Sequence, residues 1–132
     1  MNNDRQEIED LIKEFINLNL VSDEARNFYK NKVTSDFCMV QMDGQTLSAA
    51  QCLMPQDLNF ELKFIKLDSI QRIEISSDGQ FGFISFNSIS KMKVKGAWGT
   101  HLTFNIHSGY VTKVENIWKL GWIQTSQKEL KE

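Results

Sequence analysis

The 132-residue sequence is poor in the residues that build special sites, with one proline, two cysteines and two histidines. Cys38 and Cys52 belong to no CxxC motif, and no Cys/His cluster has the spacing of a zinc site. We therefore expect buried free thiols and no metal or cofactor, with a disulfide between the two cysteines as the alternative. No apolar run approaches the roughly 18 residues that span a membrane.

An excess of charge of one sign is also lacking. The formal net charge is -2 and the isoelectric point about 5.7, so no strong field favours nucleic acid or anionic lipid. Lysines alternate with apolar residues over 91–95, which predicts a strand with one solvated face. Residues 1–4 are polar and acidic, unlike a signal peptide. We expect a cytoplasmic protein with no nucleic-acid or membrane partner.

Large apolar side chains are abundant, with nine Phe and three Trp in a sequence that is 41% hydrophobic. This is enough for a real core, and the length fits one domain over residues 1–132. The sequence shows no internal repeat, phosphate-binding loop, HExxH motif or Ser/His/Asp order. Composition and motifs therefore predict a globular fold without naming an activity.

Helices are predicted in the first half of the chain. Residues 4–18 carry an apolar stripe at helical spacing, and Asp4 with Glu7 forms a predicted capping box. A second helix is predicted to begin at Ser22 and to turn Ala25, Phe28 and Tyr29 inward. A short third helix is predicted over 48–54, stopped by Pro55.

Strands follow, and the order reads α-α-β-(β)-α-β-β-β-β. The predicted strands are 37–42, 60–75, 81–94, 98–107 and 110–124. Asp43-Gly44 and Ser108-Gly109 are predicted turns, and a phase change predicts a bulge near Ile65–Asp68. Helices first and long antiparallel strands last predict an α+β fold, in which a curved antiparallel or mixed sheet forms a cone around the helices.

Side-chain alternation predicts which residues face the cone. Ser88 and Ser90 share the inward parity of their strand, while Phe81 and Phe83 face outward. In 98–107 the even-numbered residues are predicted inward, which leaves His101 and His107 outside. A bulge at Gly99, which would turn His101 inward, is the alternative. In the last strand, Asn116, Trp118 and Leu120 are predicted to share the inward face.

The element order and several segments resemble the nuclear-transport-factor-2-like (NTF2-like) superfamily, which includes steroid isomerases and SnoaL-like, polyketide-cyclase-like proteins. The segments that carry the resemblance are 7–19, 22–32, Asp36-Phe37, Asp43-Gly44, 102–105 and 111–118. The resemblance implies an α+β cone with a cystatin-like curved sheet, and a homodimer. It implies no single activity, because this fold hosts many functions.

The sequence lacks the three chemical groups that steroid isomerases of that superfamily use. Steroid isomerases use a helical Tyr, an Asp on the first strand and a protonated Asp on a late strand. Here Phe15 stands at the Tyr position, no acid lies between Phe37 and Met42, and Thr100 stands near the late acid. The resemblance therefore implies no steroid-isomerase chemistry.

The function predicted from the sequence is binding of a small apolar ligand in the cone. Its predicted lining is Phe15, Tyr29, Met39, Ser88, Trp98, Thr100, His101, Asn116 and Trp118. A homodimer through the outer sheet face is expected, since Phe81 and Phe83 are exposed there. Two alternatives stay open: an enzyme with an unusual acid/base set drawn from His101, Tyr29 and Asp36, and an interaction module with a filled cone.

Overall fold

The computed structural model describes residues 3–18, 23–41, 44–53, 60–96 and 98–130. The predicted order of elements is confirmed. The helices and strands are α1 (Asp4–Ile16), α2 (Asp23–Asn31), β1 (Val33–Val40), β2 (Thr46–Ser48), α3 (Ala49–Cys52), β3 (Phe60–Ile75), β4 (Phe81–Val94), β5 (His101–Val114) and β6 (Ile117–Leu130).

The six strands form one mixed, curved sheet in the order β2-β1-β6-β5-β4-β3. β1 runs parallel to β6, and every other pair is antiparallel. The register of β3 against β4 shifts at three places, one of them between Leu67 and Ser69, inside the predicted bulge. Such irregularities bend a strand, so the sheet curves around the helices without closing. The predicted α+β cone is confirmed.

The first residue of α1, Asp4, is anchored by its side chain to β5 and β6. Asn3 caps α1 without a side-chain bond, so the predicted capping box is wrong. Asp4 Oδ1 instead accepts from Lys113 Nζ at 2.9 Å and from Trp118 Nε1 at 3.0 Å. The Lys113 ammonium also lies 5.2 Å from the centroid of the Trp118 ring. These contacts fix α1 on the inner side of β5 and β6.

The two shorter helices close one side of the cone. Ala25 and Phe28 of α2 are buried, as predicted, and Tyr29 packs against the same core. In α3, Ser48 and Gln51 form a complete capping box. The predicted boundary residues Ser22, Asp43, Met54 and Pro55 lie outside the described residues.

The hairpin between β5 and β6 differs from the prediction. Its turn is Glu115-Asn116, with φ of 52° and 66°, the two positive values that a type I′ turn requires. Ser108 and Gly109 lie inside β5, so the turn predicted there is wrong. A Cβ at Gly109 would lie 2.0 Å from the Trp122 carbonyl oxygen. This glycine serves close strand approach rather than chain reversal.

The core lies between α1, α2 and the inner face of the sheet. Large side chains of α1 pack on β4 and β6, and Phe28 of α2 contacts Phe15 with ring centroids 6.0 Å apart. The buried apolar residues are Ile8, Leu11, Ile12, Ile16, Ala25, Phe28, Val33, Phe37, Ile73, Ile84, Phe86, Val111, Trp118, Leu120 and Ile123.

Candidate functional site

The inner face of β5 is polar from Thr103 to His107, opposite to the prediction. Thr103, Asn105 and His107 are buried, while Ile106 is 48% exposed on the outer face. The chain reaches β5 through a loop in which Gly96 and Gly99 have positive φ, and β5 begins only at His101. A one-residue change in strand phase reverses every side chain, so the predicted inward set points out.

Pairing with β4 brings these polar residues beside the serines predicted to face inward. Ser88 pairs with Asn105 and Ser90 with Thr103, and both serines are buried as predicted. On the other side, β6 contributes Thr125 and Gln127. The polar cluster is defined by seven side chains: Ser88, Ser90, Thr103, Asn105, His107, Thr125 and Gln127.

Asn105 is the centre of the polar cluster. Its Nδ2 donates to Ser88 Oγ at 3.1 Å and to Ser90 Oγ at 3.0 Å, and its Oδ1 accepts from Gln127 Nε2 at 3.0 Å. Ser90 Oγ and Thr103 Oγ1 lie 2.6 Å apart. Among the described residues, every buried side-chain nitrogen and oxygen has a partner. The cluster is therefore ordered by its own hydrogen bonds.

His107 links the polar cluster to the apolar core. Its Nε2 lies 2.8 Å from Ser88 Oγ and its Nδ1 2.8 Å from Thr125 Oγ1. The ring stacks on Phe86 at 4.7 Å between centroids, and Phe15 meets it edge-on at 6.4 Å. Burial lowers the pKa of His107 from 6.5 to about 4, so the ring is neutral at pH 7.

Beneath α1 the apolar part of the cone is nearly filled. A residual cavity of about 10 Å³ is lined by Leu11, Ile12, Phe15, Ile84, Phe86 and Leu120. A space of that size holds one water molecule at most.

Five of the predicted lining residues stay inside the fold. Phe15 and Ser88 both contact His107. Trp118 is buried at the opposite end of the cone, beneath Asp4. Tyr29 and Met39 are half-buried against the core, with the Tyr29 ring 5.9 Å from that of Phe37. The structure thus brings Phe15 and Ser88 together at His107.

The other four predicted residues do not converge there. Trp98 is 99% exposed in the β4–β5 loop, so its predicted inward orientation is wrong. The same prediction for Asn116 is wrong, because Asn116 is exposed in the Glu115-Asn116 turn. Thr100 is half-buried, but β5 separates it from Asn116 by about 45 Å of chain. Strand pairing places His101 at the rim of the sheet and on its inner face, opposite to the predicted outward placement. The Nδ1 of His101 lies 2.7 Å from Glu129 Oε1.

The three acid/base candidates named from the sequence lie in separate environments. Burial, and to a smaller degree Cys52, raises the pKa of the Tyr29 phenol above its usual range. Asp36 is exposed and accepts a hydrogen bond from Thr34. His101 sits at the rim with Glu129. The histidine inside the cone is His107, which had been predicted to face outward.

The polar cluster corresponds to a pattern of polar residues in the sequence, which an assignment by hydrophobic residues alone misses. Thr103, Asn105 and His107 alternate with apolar residues on one strand. On the strand before, Ser88 and Ser90 flank Ile89, and on the strand after, Thr125 and Gln127 alternate with polar neighbours. A period of two shared by polar residues on three adjacent strands marks one continuous face.

A separate groove lies outside the cone, between α1 and the β5–β6 hairpin. Its volume is about 330 Å³, and its lining combines acidic side chains of α1 with Lys32 and the start of β6. Asn116 and Trp118, both predicted to line the pocket, border this groove instead. The full lining is Glu7, Asp10, Leu11, Glu14, Lys32, Asn116, Ile117 and Trp118.

Metal-ligating side chains are dispersed over the described residues, 3–18, 23–41, 44–53, 60–96 and 98–130. In those ranges no group of three or more His, Cys, Asp or Glu side chains is placed to hold a metal ion. Cys38 and Cys52 are free and half-buried. Burial, with a smaller contribution from Cys38, raises the pKa of the Cys52 thiol to about 11. None of the described helices combines the length and apolarity needed to cross a bilayer.

Comparisons with known proteins agree with this architecture. The family model described as a protein of unknown function, DUF3804, matches residues 3–131. Among curated proteins, none matches this sequence. An NTF2-like protein of unknown function from Prochlorococcus marinus is similar in structure, with a TM-score of 0.71 and 20% identity over 100% of this chain and 97% of that one.

Two further solved structures share the fold at lower identity. An NTF2-like superfamily protein from Salmonella enterica has a TM-score of 0.75 and 14% identity, covering 98% of this chain and 94% of that one. A hexachlorocyclohexane dehydrochlorinase, LinA type 2, has a TM-score of 0.73 and 12% identity, covering 96% and 88%. At these identities the likeness concerns the fold.

Proposed function

Since the chain belongs to the DUF3804 family and has the NTF2-like fold, we propose that it binds a small, mainly apolar molecule inside the cone. The polar cluster is the part of the cone that contacts this molecule. Small-molecule sites are typically apolar concavities with a few convergent polar groups. Phe15 and Phe86 supply apolar walls beside His107, and the cluster supplies the polar groups.

The observation that carries this proposal is the burial of His107 at 4% exposure among hydrogen-bonding neighbours. An interior that served only stability could be apolar, because buried polar groups gain little net free energy over well-packed hydrophobic ones. A buried group with a strongly shifted pKa in a concave face is a typical mark of a functional site. His107 in the polar cluster is both a buried polar group and a group with a lowered pKa.

Catalysis is a second candidate function, favoured by the 2.8 Å contact between Ser88 and His107. One structural neighbour is a dehydrochlorinase, which shows that this fold supports chemistry in another protein. A general base works best with a pKa near the working pH, and the pKa of His107 is about 4. Ser88 itself is fully buried. These facts favour a hydrogen-bonding role for His107 over proton abstraction.

The experiment compares the two histidines of the chain. His107→Phe keeps a flat ring against Phe86 but removes both nitrogens, while His101→Phe makes the same change at the rim. Fatty acids, sterols and aromatic polyketides are titrated against each protein, and native mass spectrometry detects any co-purified molecule. We expect binding to weaken about tenfold in His107→Phe, because Ser88 and Thr125 lose the ring nitrogens that orient their hydroxyls, and less than twofold in His101→Phe.

Two outcomes would contradict the binding proposal. If wild-type protein binds no member of the panel and carries no co-purified molecule, the cone is a filled core, as the 10 Å³ cavity beneath α1 favours. If a ligand binds equally well to His107→Phe and to wild type, the site lies elsewhere.

We also propose that the protein forms a homodimer through the outer face of the sheet. Phe81 and Phe83 are 46% and 38% exposed, and Phe81 stacks on Tyr110 at 5.3 Å between centroids. Ile106 is 48% exposed on the same outer face, beyond the Ser85–Ser108 pair. Exposed apolar patches of this kind are typical of interfaces.

The dimer is tested with a charge placed on the outer face. Phe83→Glu should convert a dimer to a monomer in native mass spectrometry or analytical ultracentrifugation. Leu53→Glu is the matched control, because Leu53 is 38% exposed beside α3 and not on the sheet. A monomeric wild type at micromolar concentration would contradict the proposal.

A further inference from the structure

The number of donors and acceptors in the polar cluster determines which atom donates in each hydrogen bond. Asn105 Nδ2 uses its two hydrogens on Ser88 and Ser90, so the Ser88 oxygen already accepts one bond. Ser88 is fully buried, and among the described residues its hydroxyl hydrogen has one acceptor within reach, His107 Nε2. Ser88 therefore donates to Nε2, since a buried hydroxyl hydrogen without an acceptor is costly.

This assignment fixes the tautomer of His107. A neutral imidazole carries one hydrogen, so with Nε2 accepting, the hydrogen is on Nδ1. Nδ1 then donates to Thr125 Oγ1 at 2.8 Å. Donation runs in one direction, from Gln127 through Asn105, Ser88 and His107 to Thr125.

The chain of donors leaves one hydroxyl unused. Thr125 accepts from His107, and among the described residues nothing accepts the Thr125 hydroxyl hydrogen. Thr125 is only half-buried, whereas Ser88, Asn105 and His107 are buried. We propose that the Thr125 hydroxyl is the ligand-facing group of the cone and donates to an uncharged oxygen acceptor, a ketone, ester or ether.

The surroundings of Thr125 favour an uncharged ligand. The polar cluster contains no carboxylate, lysine or arginine, and His107 beside Thr125 is neutral. The carboxylate of Glu129 lies four residues further along β6, about 13 Å at strand rise, and pairs with His101. A charged ligand would lose hydration here without gaining a counter-ion.

The inference rests on the proposed ligand-binding function. Three probes with one aromatic ring each distinguish failure of the inference from failure of the proposed function. Acetophenone offers a ketone oxygen, ethylbenzene offers no polar atom, and benzoate carries a charge. Their dissociation constants are measured by NMR titration of wild type, Thr125→Val and Thr125→Ser, with Ser126→Ala as a control on the outer face of the same strand.

We expect wild type to prefer acetophenone over ethylbenzene by about fivefold and to bind benzoate most weakly, as one hydrogen bond would produce. Thr125→Val should lose the preference for acetophenone while ethylbenzene binding is unchanged. Thr125→Ser and Ser126→Ala should keep it. If Thr125→Val retains the preference, the inference is wrong. If all three probes bind equally, the inference fails and the proposed function stands; if none binds, both fail.

A second measurement does not depend on any variant folding. Nitrogen-15 NMR of His107 in the unliganded wild-type protein should show the hydrogen on Nδ1. A hydrogen found on Nε2 in the wild type would reverse the donor chain and overturn the inference.

Discussion

The inner face of the cone has two halves that are built by the same strands. In the half beneath α1, cross-strand rows join apolar residues or glycines, and in the other half they join hydroxyls, amides and a carboxylate. The apolar rows are Gly82–Val111–Leu120 and Ile84–Gly109–Ile123, and the polar rows are Ser88–Asn105–Gln127 and Ser90–Thr103–Glu129. The boundary row is Phe86–His107–Thr125, where the last turn of α1 places Phe15 against the sheet.

The change from one half to the other coincides with the end of the helix cover. Where α1 packs on the sheet, burial of hydrocarbon stabilises the fold, and the structure leaves a cavity of only about 10 Å³. Beyond Phe86 the sheet continues without that helix, and its inner side chains satisfy one another by hydrogen bonds. One half serves stability and the other presents polar groups, so the two should respond differently to mutation.

The largest loss of stability should come from the apolar half. Ile84→Ala removes a side chain that is 1% exposed beneath α1. We expect the free energy of unfolding to fall by about 3 kcal/mol, because the cavity cannot collapse against a rigid sheet. Urea denaturation measures this. The control is Ile117→Ala at the start of β6, where the side chain is 49% exposed and the loss should be less than about 1 kcal/mol; similar losses at both sites would show that α1 does not cover Ile84.

The boundary row should make stability depend on pH. His107 has a pKa of about 4 in the folded protein and about 6.5 when unfolded, so the unfolded chain binds a proton first as pH falls. Its contribution is intact above pH 6.5 and is lost between pH 6.5 and 4. From pH 7 to 4.5, wild type should lose about 2 kcal/mol more than His107→Gln.

The matched variant for this titration is His101→Gln at the rim, beside Glu129. It should retain the acid sensitivity of wild type, since His107 is unchanged. An equal acid response in wild type and His107→Gln would mean that the His107 ring is solvated rather than buried.

The apolar half was predictable from the sequence, for a physical reason. The stripe at Ile8, Leu11 and Ile12 has one helical period, and the parity of β4 follows from Ile84 and Phe86. In each case the buried side is the apolar side, so hydrophobic patterning predicts it. The order of elements and the bulge in β3 followed from the same rules.

The polar half was not predictable in this way, because β5 has apolar residues outside and polar ones inside. Leu102, Phe104 and Ile106 share the outer parity, which hydrophobic patterning assigns to the core. The Glu115-Asn116 turn contains no glycine, so turn chemistry favours a hairpin at Gly109 instead. The first error arises where the fold departs from the rule that apolar means inside, and the second where a turn forms without glycine.

Within the polar half, Asn105 should matter most. Asn105→Ala leaves Ser88, Ser90 and Gln127 with broken bonds in a buried place. We expect a loss of about 1.5 kcal/mol in chemical denaturation, less than at Ile84, because a hydrogen bond contributes less than a buried side chain. Asn87→Ala, at the neighbouring position on the outer face of β4, should cost less than about 0.5 kcal/mol. Equal effects would mean that water already reaches the cluster.

The smallest effect should come from the rim, where the polar half meets solvent. Glu129 pairs with His101 at 2.7 Å, but its side chain is 67% exposed. Exposed ion pairs contribute little, because solvent screens them and ordering long side chains costs entropy. Glu129→Gln should therefore change the free energy of unfolding by less than about 0.5 kcal/mol at pH 7, and Ser126→Ala is the neighbouring control. A loss near that of Asn105→Ala would mean that the buried polar half reaches the end of β6 and that its boundary with solvent lies one row further out.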